Sequence, residues 1–213
     1  MATLIPPKAP SLPLGSKEYS QQYQDLFSNA LRLYFNRLDD AFANLMNTRG
    51  GQYLNIPYGA FSDYLDQTAV ANTATVMLFR TTDFANGVSV VSNSKITVAQ
   101  SGIYNLQWSA QFNNADAQEH DVSVWLRQDG PGAGTDIPGS AGLISVPKVH
   151  GGFDGHTIIG WNYYVSLQAG EFVELWWSTP DALVTIQHLP ASVAPVRPST
   201  ASTVATLTFV SAL

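Results

Sequence analysis

The residue types best suited to binding a metal stand together in one short segment that is rich in glycine. His150, Asp154 and His156 fall within seven residues, with glycines between them. Imidazole nitrogens and carboxylate oxygens are both ligands of transition metals such as Zn²⁺. A polar turn that uses glycine for its backbone geometry explains the same pattern more simply. We therefore keep these residues as metal candidates, but we expect no bound metal and no cofactor.

A second polar segment, with Asp116, Glu119, His120 and Asp121, has the residue types of an acid/base cluster. Successive side chains of a strand point to opposite faces, so His120 does not share a face with Glu119 or Asp121. We interpret the segment as a solvated loop that leads into a strand. The sequence also has no nucleophile elbow, phosphate-binding loop or HExxH motif. We predict no catalytic residue and no enzymatic activity.

The charge balance and composition exclude several classes of function. Ten basic residues against 16 acidic ones give a net charge of −6, which argues against a nucleic-acid partner. The absence of Cys excludes disulfides, thiolate metal sites and a cysteine nucleophile. Only 12% of the residues are charged, against about a quarter in an average domain. Either another chain covers part of the surface, or the surface is rich in uncharged polar residues.

The first fifteen residues predict an extended arm, because four prolines among them disfavour a helix. Leu4, Ile5, Leu12 and Leu14 are candidates for anchoring this arm on a partner, with a frayed terminus as the alternative. The segment lacks the pattern of a signal peptide, and no run approaches the roughly 18 apolar residues that span a bilayer. We expect synthesis in the cytoplasm and no membrane insertion.

One long helix is predicted over residues 20–46. Its apolar residues recur at alternating intervals of four and three, which is a heptad seam. The helix packs either on its own domain or in a bundle at a twofold or threefold axis, and the spacing favours self-association. We assign residues 16–49 to this trimerising helix and residues 50–66 to a connector. The seam consists of Phe27, Leu31, Tyr34, Leu38, Ala41 and Leu45.

From about residue 67 onward the apolar residues alternate with polar ones, which is typical of half-buried antiparallel strands. Residues 102–112 show the clearest alternation, and Gly- or Pro-containing turns separate the successive segments. No further long helix interrupts them. The predicted fold is mainly β: a jelly-roll β-sandwich over residues 67–213, preceded by the arm and the helix.

Aromatic residues of the predicted strands are candidates for contact with a sugar. Trp161, Tyr163 and Trp177 offer rings on which a glycan could stack. Trp and Tyr are also common in sandwich cores and subunit interfaces, and this second interpretation is favoured. Because Trp176 and Trp177 are adjacent on one strand, one of them should face the core.

Two segments resemble the trimeric jelly-roll family that includes the globular head of complement and tumour-necrosis-factor-like domains. They are residues 95–106, KITVAQSGIYNL, and residues 205–210, ATLTFV. This resemblance implies a trimeric sandwich.

A further resemblance is to structural proteins of tailed bacteriophages, including marine and cyanobacterial ones. The similar segments are residues 31–39, 122–127, 158–162 and 173–178. The resemblance implies a virion protein, attached through its N-terminal part to capsid, portal or tail proteins and displaying a homotrimeric β-domain. A fibre or appendage that contacts the host surface is favoured. The alternatives are a head decoration or cement protein that stabilises the capsid, and a lectin-like module that binds a host-surface glycan.

Overall fold

The computed structural model describes residues 8–14, 17–46, 56–129 and 134–213. The chain divides into two compact units, Met1–Asn55 and Ile56–Leu213. The first unit contains the helix α1, Gln21–Met46. Ser20 caps its N-terminus, since the Ser20 Oγ accepts a hydrogen bond from the Tyr23 backbone N–H at 3.3 Å.

The second unit is built from strands. In chain order they are β1 (Tyr58–Asp63), β2 (Gln67–Thr68), β3 (Thr75–Val76), β4 (Thr81–Asn86), β5 (Val88–Val91), β6 (Lys95–Val98), β7 (Gly102–Asn114), β8 (His120–Asp129), β9 (Thr135–Asp136), β10 (Gly142–Val146), β11 (Gly155–Leu167), β12 (Phe172–Ser178), β13 (Val184–Ile186), β14 (Ser192–Val193), β15 (Val196–Arg197) and β16 (Thr203–Ser211).

These strands form two large antiparallel sheets and one small hairpin. The first sheet has the order β2-β13-β7-β16-β1-β4, with β11 paired to β7. The second has the order β10-β8-β12-β6-β5, with β9 beside β8 and β3 beside β12. Strands β14 and β15 pair only with each other within the described residues. The predicted fold class, a mainly β sandwich with one long N-terminal helix, is confirmed.

Strand β7 pairs with three other strands of the first sheet. β11 follows it along its whole length, from Gly102 opposite Leu167 to Asn114 opposite Gly155. On its other side β7 pairs first with β16 and then, over its last three residues, with β13. The predicted alternation is confirmed, because one face of β7 is buried. The inward side chains are Tyr104, Leu106, Trp108, Ala110 and Phe112.

The second sheet supplies the other half of the core. Phe112 of β7 and Trp177 of β12 meet across the sandwich with their ring centroids 5.5 Å apart, in an edge-to-face arrangement. Trp177 has no exposed surface, whereas its neighbour Trp176 is half-buried on the opposite side of the strand. The remaining core side chains of β8 and β12 alternate in the same way: Val122, Val124, Leu126, Val173 and Leu175.

Strand β1 lies in the segment that the sequence analysis assigned to a connector. It pairs with β4 and β16, so the sandwich includes residues 58–63 and its compact unit starts at Ile56. The strand escaped detection because five of its six residues are buried, including Gly59, Ala60 and Ser62 beside Phe61. Alternation between apolar and polar residues does not appear where both faces of a strand are covered.

A buried carboxylate at the end of β1 is fully partnered. Asp63 is 1% exposed, and its Oδ2 accepts a hydrogen bond from Gln67 Nε2 at 2.9 Å. The same oxygen forms an ion pair with Arg80 Nη1. Gln67 also exchanges two hydrogen bonds with the backbone of Leu78. This network offsets the cost of burying the charge and joins three neighbouring segments.

We predict that Gly155→Ala destabilises the sandwich. A Cβ added at Gly155 would lie 1.7 Å from the carbonyl oxygen of Pro147, so the backbone must shift. Overpacking of this kind costs about 1–3 kcal/mol, and we expect the upper end because the clash is with backbone. Urea titration of the free energy of unfolding measures the loss.

Gly139→Ala is the matched control. Gly139 has a φ of +78° and no atom near its added Cβ, so only backbone strain of about 1 kcal/mol is expected. Equal losses for the two variants would contradict a close approach of backbone at Gly155.

Candidate self-association surface

The outward side of β7, β11 and β16 forms one continuous surface, which we call the neutral face. None of the residues in these three strands is Asp, Glu, Lys or Arg. The pairing register fixes which side chains share this surface, because Asn105, Gln107 and Ser109 of β7 each lie opposite outward residues of both β11 and β16. The neutral face consists of Ile103, Asn105, Gln107, Ser109, Gln111, Ile158, Gly160, Asn162, Tyr164, Ser166, Val204, Thr206, Thr208 and Val210.

Several large apolar side chains of the neutral face are exposed. Ile158 and Tyr164 of β11 are 71% and 61% exposed. Val204 and Val210 of β16 are also exposed. Between them stand uncharged polar residues such as Gln107 and its partner Thr206. Exposed apolar groups set among polar, uncharged ones are typical of a surface that a second protein covers.

The outer side of the second sheet has the opposite character, and we call it the charged face. The Arg127 guanidinium lies 4.0 Å from the Trp176 ring centroid, and its Nε donates a hydrogen bond to Asp136 Oδ1 at 2.8 Å. This bond, with a second from Trp125 Nε1, holds the pKa of the Asp136 carboxyl below its usual range. Lys95 lies over the Phe172 ring on the same side. The charged face therefore carries charged side chains, whereas β7, β11 and β16 of the first sheet contain no Asp, Glu, Lys or Arg.

Helix α1 presents a second apolar surface, in the other unit. Its continuous helical turns place the seam residues Phe27, Leu31, Tyr34, Leu38 and Ala41 on one side, each half-buried. The sixth seam residue, Leu45, has a side chain outside the described part of the structure. Four further large apolar side chains lie off the seam and are at least half exposed: Leu26, Leu33, Phe35 and Phe42.

Only two of the four proposed anchoring residues lie in the part of the chain that the structure describes. Leu4 and Ile5 fall outside the described residues. Leu12 is 42% exposed and Leu14 is 95% exposed, and residues 8–14 contain neither helix nor strand. Anchoring through these leucines stays a prediction.

The glycine-rich segment that carries the metal candidates forms a tight turn. His150 and Phe153 exchange two backbone hydrogen bonds of 2.9 and 3.0 Å, and both Gly151 and Gly152 have positive φ. The turn explains the glycines, because this backbone region favours residues without a side chain. Asp154 Oδ2 accepts a hydrogen bond from Asn113 Nδ2 at 3.1 Å, and His150 and His156 are both exposed. These three candidates do not form a metal-ligand cluster in the structure.

The structure instead brings together residues that the sequence analysis placed in a solvated loop. The Nε2 of His120 lies 2.8 Å from the Oδ2 of Asp116, and both side chains are half-buried. Hydrogen bonds from His120 and from the Ala117 backbone lower the pKa of Asp116. Asp181, from a distant loop, lies beside them. No local pattern pointed to Asp181, since it lies 61 positions beyond His120 in the sequence.

The structure corrects the set of candidate glycan contacts. Trp177 is fully buried in the core, so it cannot stack on a sugar. Tyr163 is half-buried against the same core. Trp161 is 40% exposed, but its ring covers Gly142 of the second sheet so closely that an added Cβ would lie 2.3 Å from it. The exposed aromatic residue beside them is Tyr164, which belongs to the neutral face.

Comparisons with known proteins show the fold. No model of a protein family matches the chain, and no curated protein matches it. Among solved structures, Eiger TNF from S. frugiperda aligns with a TM-score of 0.51 at 8% identity, covering 75% of this chain and 96% of that one. The sandwich is a TNF-like jelly roll. Murine APRIL aligns with a TM-score of 0.48 at 10% identity, covering 73% of this chain and 99% of that one. Eiger TNF is not a phage protein, and nothing in these comparisons supports a phage origin.

No helix in the described residues is both long enough and apolar enough to cross a membrane.

We predict that replacing Leu31 and Leu38 with Asp abolishes association through α1. Two carboxylates in the apolar seam would have to lose their hydration at the helix contact, which costs several kcal/mol per buried charge. Analytical ultracentrifugation should show monomers or a large loss of the assembled species.

Asn36→Asp combined with Ala43→Asp is the control, because these exposed positions add the same charge with the same spacing away from the seam. If both double variants associate as the parent does, the seam is not a contact between chains. Circular dichroism confirms that the helix is retained.

Proposed function

We propose that the protein is a non-enzymatic homotrimer that presents its jelly roll as a compact knob. The observation that carries this proposal is the neutral face, where three long strands without a charged residue expose Ile158, Tyr164, Val204 and Val210. A second copy of the chain is the occupant that we infer. The heptad seam of α1 favours self-association as well, and the sequence resembles a family of trimeric jelly rolls.

The energetics of such an assembly are favourable. An ordinary interface buries about 800 Å² on each partner, of which a little over half is apolar. At about 25 cal/mol per Å², burying this apolar surface contributes on the order of 20 kcal/mol of favourable free energy per contact. Association costs of about 4–15 kcal/mol oppose it. Covering Gln, Asn, Ser and Thr costs less than covering charges, provided that these side chains form hydrogen bonds across the interface.

We further propose that this trimer is a component of a bacteriophage virion, as a fibre or appendage that contacts the host surface. The support is the similarity of residues 31–39, 122–127, 158–162 and 173–178 to phage structural proteins. The division into two units fits this role, with an N-terminal unit for attachment and a sandwich for display. A head decoration protein would use the same two units. The lectin-like alternative is weakened, because Trp177 is buried and Trp161 packs on Gly142.

We predict that Thr206→Lys breaks the trimer. Thr206 is an outward residue at the centre of β16, between the buried Ala205 and Leu207, so a Lys here changes the neutral face without touching the core. Three like charges brought together at a threefold contact would repel and lose hydration. Sedimentation should give about three times 23.0 kDa for the parent chain and a smaller species for the variant.

Ser123→Lys is the matched control on the charged face. Ser123 lies at the centre of β8 between the buried Val122 and Val124, and it points outward as Thr206 does. This variant should sediment as the parent does. A parent chain that sediments at 23.0 kDa, or equal behaviour of the two variants, would contradict self-association through the neutral face.

The virion role is tested by locating the protein on particles. Gold-labelled antibodies raised against the sandwich should mark tail appendages of the phage that encodes it, in electron micrographs of purified particles. Label on the heads would support the decoration role instead. Particles that carry no label, and no copy of the chain in their protein content, would refute both roles while leaving the trimer untouched.

A further inference from the structure

Three potential metal ligands lie together at one end of the sandwich, apart from the neutral face. They are Asp116, His120 and Asp181, and their ligand atoms all lie within 4.8 Å of one another. We propose that this cluster binds one divalent transition-metal ion of the Zn²⁺ type. The sequence analysis did not connect Asp181 with Asp116 and His120, and the proposal does not depend on the trimer.

The three ligands come from two separate connections of the fold. Asp116 lies in the short connection that follows β7, and His120 is the first residue of β8. Asp181 lies in the connection between β12 and β13. Because β7 and β13 belong to the first sheet while β8 and β12 belong to the second, an ion here would join both sheets.

Each carboxylate accepts a hydrogen bond from a backbone N–H one or two residues further along the chain. Asp116 Oδ1 accepts a hydrogen bond from the Ala117 N–H at 2.7 Å, which leaves Oδ2 directed to His120. Asp181 Oδ1 accepts a hydrogen bond from the Leu183 N–H at 2.8 Å, which leaves its second oxygen for an ion. Fixing the ligands in this way lowers the cost of ordering them when a metal binds.

The buried asparagine beside the cluster supports the same geometry. Asn114 Oδ1 accepts a hydrogen bond from the Asp116 N–H at 2.9 Å, and Asn114 Nδ2 donates to the Gln118 carbonyl at 2.8 Å. Asn114 has no exposed surface. The buried Asn114 side chain therefore holds the connection between Asp116 and His120 through two hydrogen bonds.

The ligand types select the class of metal. One imidazole nitrogen with two carboxylate oxygens suits Zn²⁺, which lies about 2.0–2.2 Å from such atoms. Ca²⁺ and Mg²⁺ prefer oxygen ligands alone. Two ligand atoms of one Zn²⁺ ion are about 3–4 Å apart. The three ligand atoms here lie within 4.8 Å of one another, so each would move by less than about 1 Å when an ion binds. The two carboxylates balance the charge of the ion, and water completes the coordination.

The experiment is calorimetric titration of the full chain with ZnCl₂, after removal of metals with a chelator. We expect one ion per chain with a dissociation constant in the micromolar range or below, and a higher unfolding temperature with Zn²⁺ present. His120→Gln and Asp181→Asn should each weaken binding by about 10-fold or more. Asp181→Asn decides the result if His120→Gln fails to fold, because an Asn Oδ1 still accepts the hydrogen bond from Leu183.

Two controls separate this site from other binding. Glu119→Gln removes an exposed carboxylate from the same connection, and His156→Gln removes an exposed imidazole from the glycine-rich segment; both variants should bind Zn²⁺ as the parent does. The imidazole resonances of the four histidines identify the ligand directly, and only those of His120 should shift at one equivalent. Absent binding, loss in His156→Gln instead of His120→Gln, or equal affinity for Ca²⁺ would overturn the proposal.

Discussion

The two-sided character of β7 is the constraint on which the rest of the sandwich depends. Both of its edges are paired, with β11 on one side and β16 and β13 on the other, so its alternation extends across the sheet. Its inward residues pack on the second sheet, where Phe112 meets Trp177. The same register that buries these side chains places the outward residues of three strands on one side of the sheet. The core and the neutral face therefore arise together, because a shift of one residue would exchange them.

The difference in charge between the charged face and the neutral face reflects the cost of removing charged groups from water. On the charged face Arg127 stacks on Trp176 and pairs with Asp136, so its charge stays near water and near a partner. The neutral face has no charge whose hydration would be lost on contact with another chain. Its amides and hydroxyls keep a single chain hydrated, and they also offer hydrogen-bond partners to a covering surface. This composition suits a surface that is exposed before assembly and covered after it.

The comparison with Eiger TNF shows the architecture of the sandwich, whereas the proposed function rests on residues of its surface and of α1. At 8% identity the shared property is the sandwich itself, which many unrelated activities use. The candidate surfaces here belong to outward residues and to α1, and the proposed metal site belongs to the connections between strands. These are the parts of a jelly roll that vary without changing its core. The proposed virion role and the proposed metal site therefore rest on different residues of one scaffold.

The sequence by itself determined the elements whose period indicates one apolar face: the heptad of α1 and the alternation of β7 and β8. It did not reveal β1, because small residues buried on both faces leave no alternation to detect. It also placed one of two adjacent tryptophans in the core without deciding which, and only the register of β12 selected Trp177. The meeting of Asp181 with Asp116 and His120 was decided by tertiary structure alone. Local spacing fixes which way a side chain points from its own strand, whereas the order of the strands decides which distant loops become neighbours.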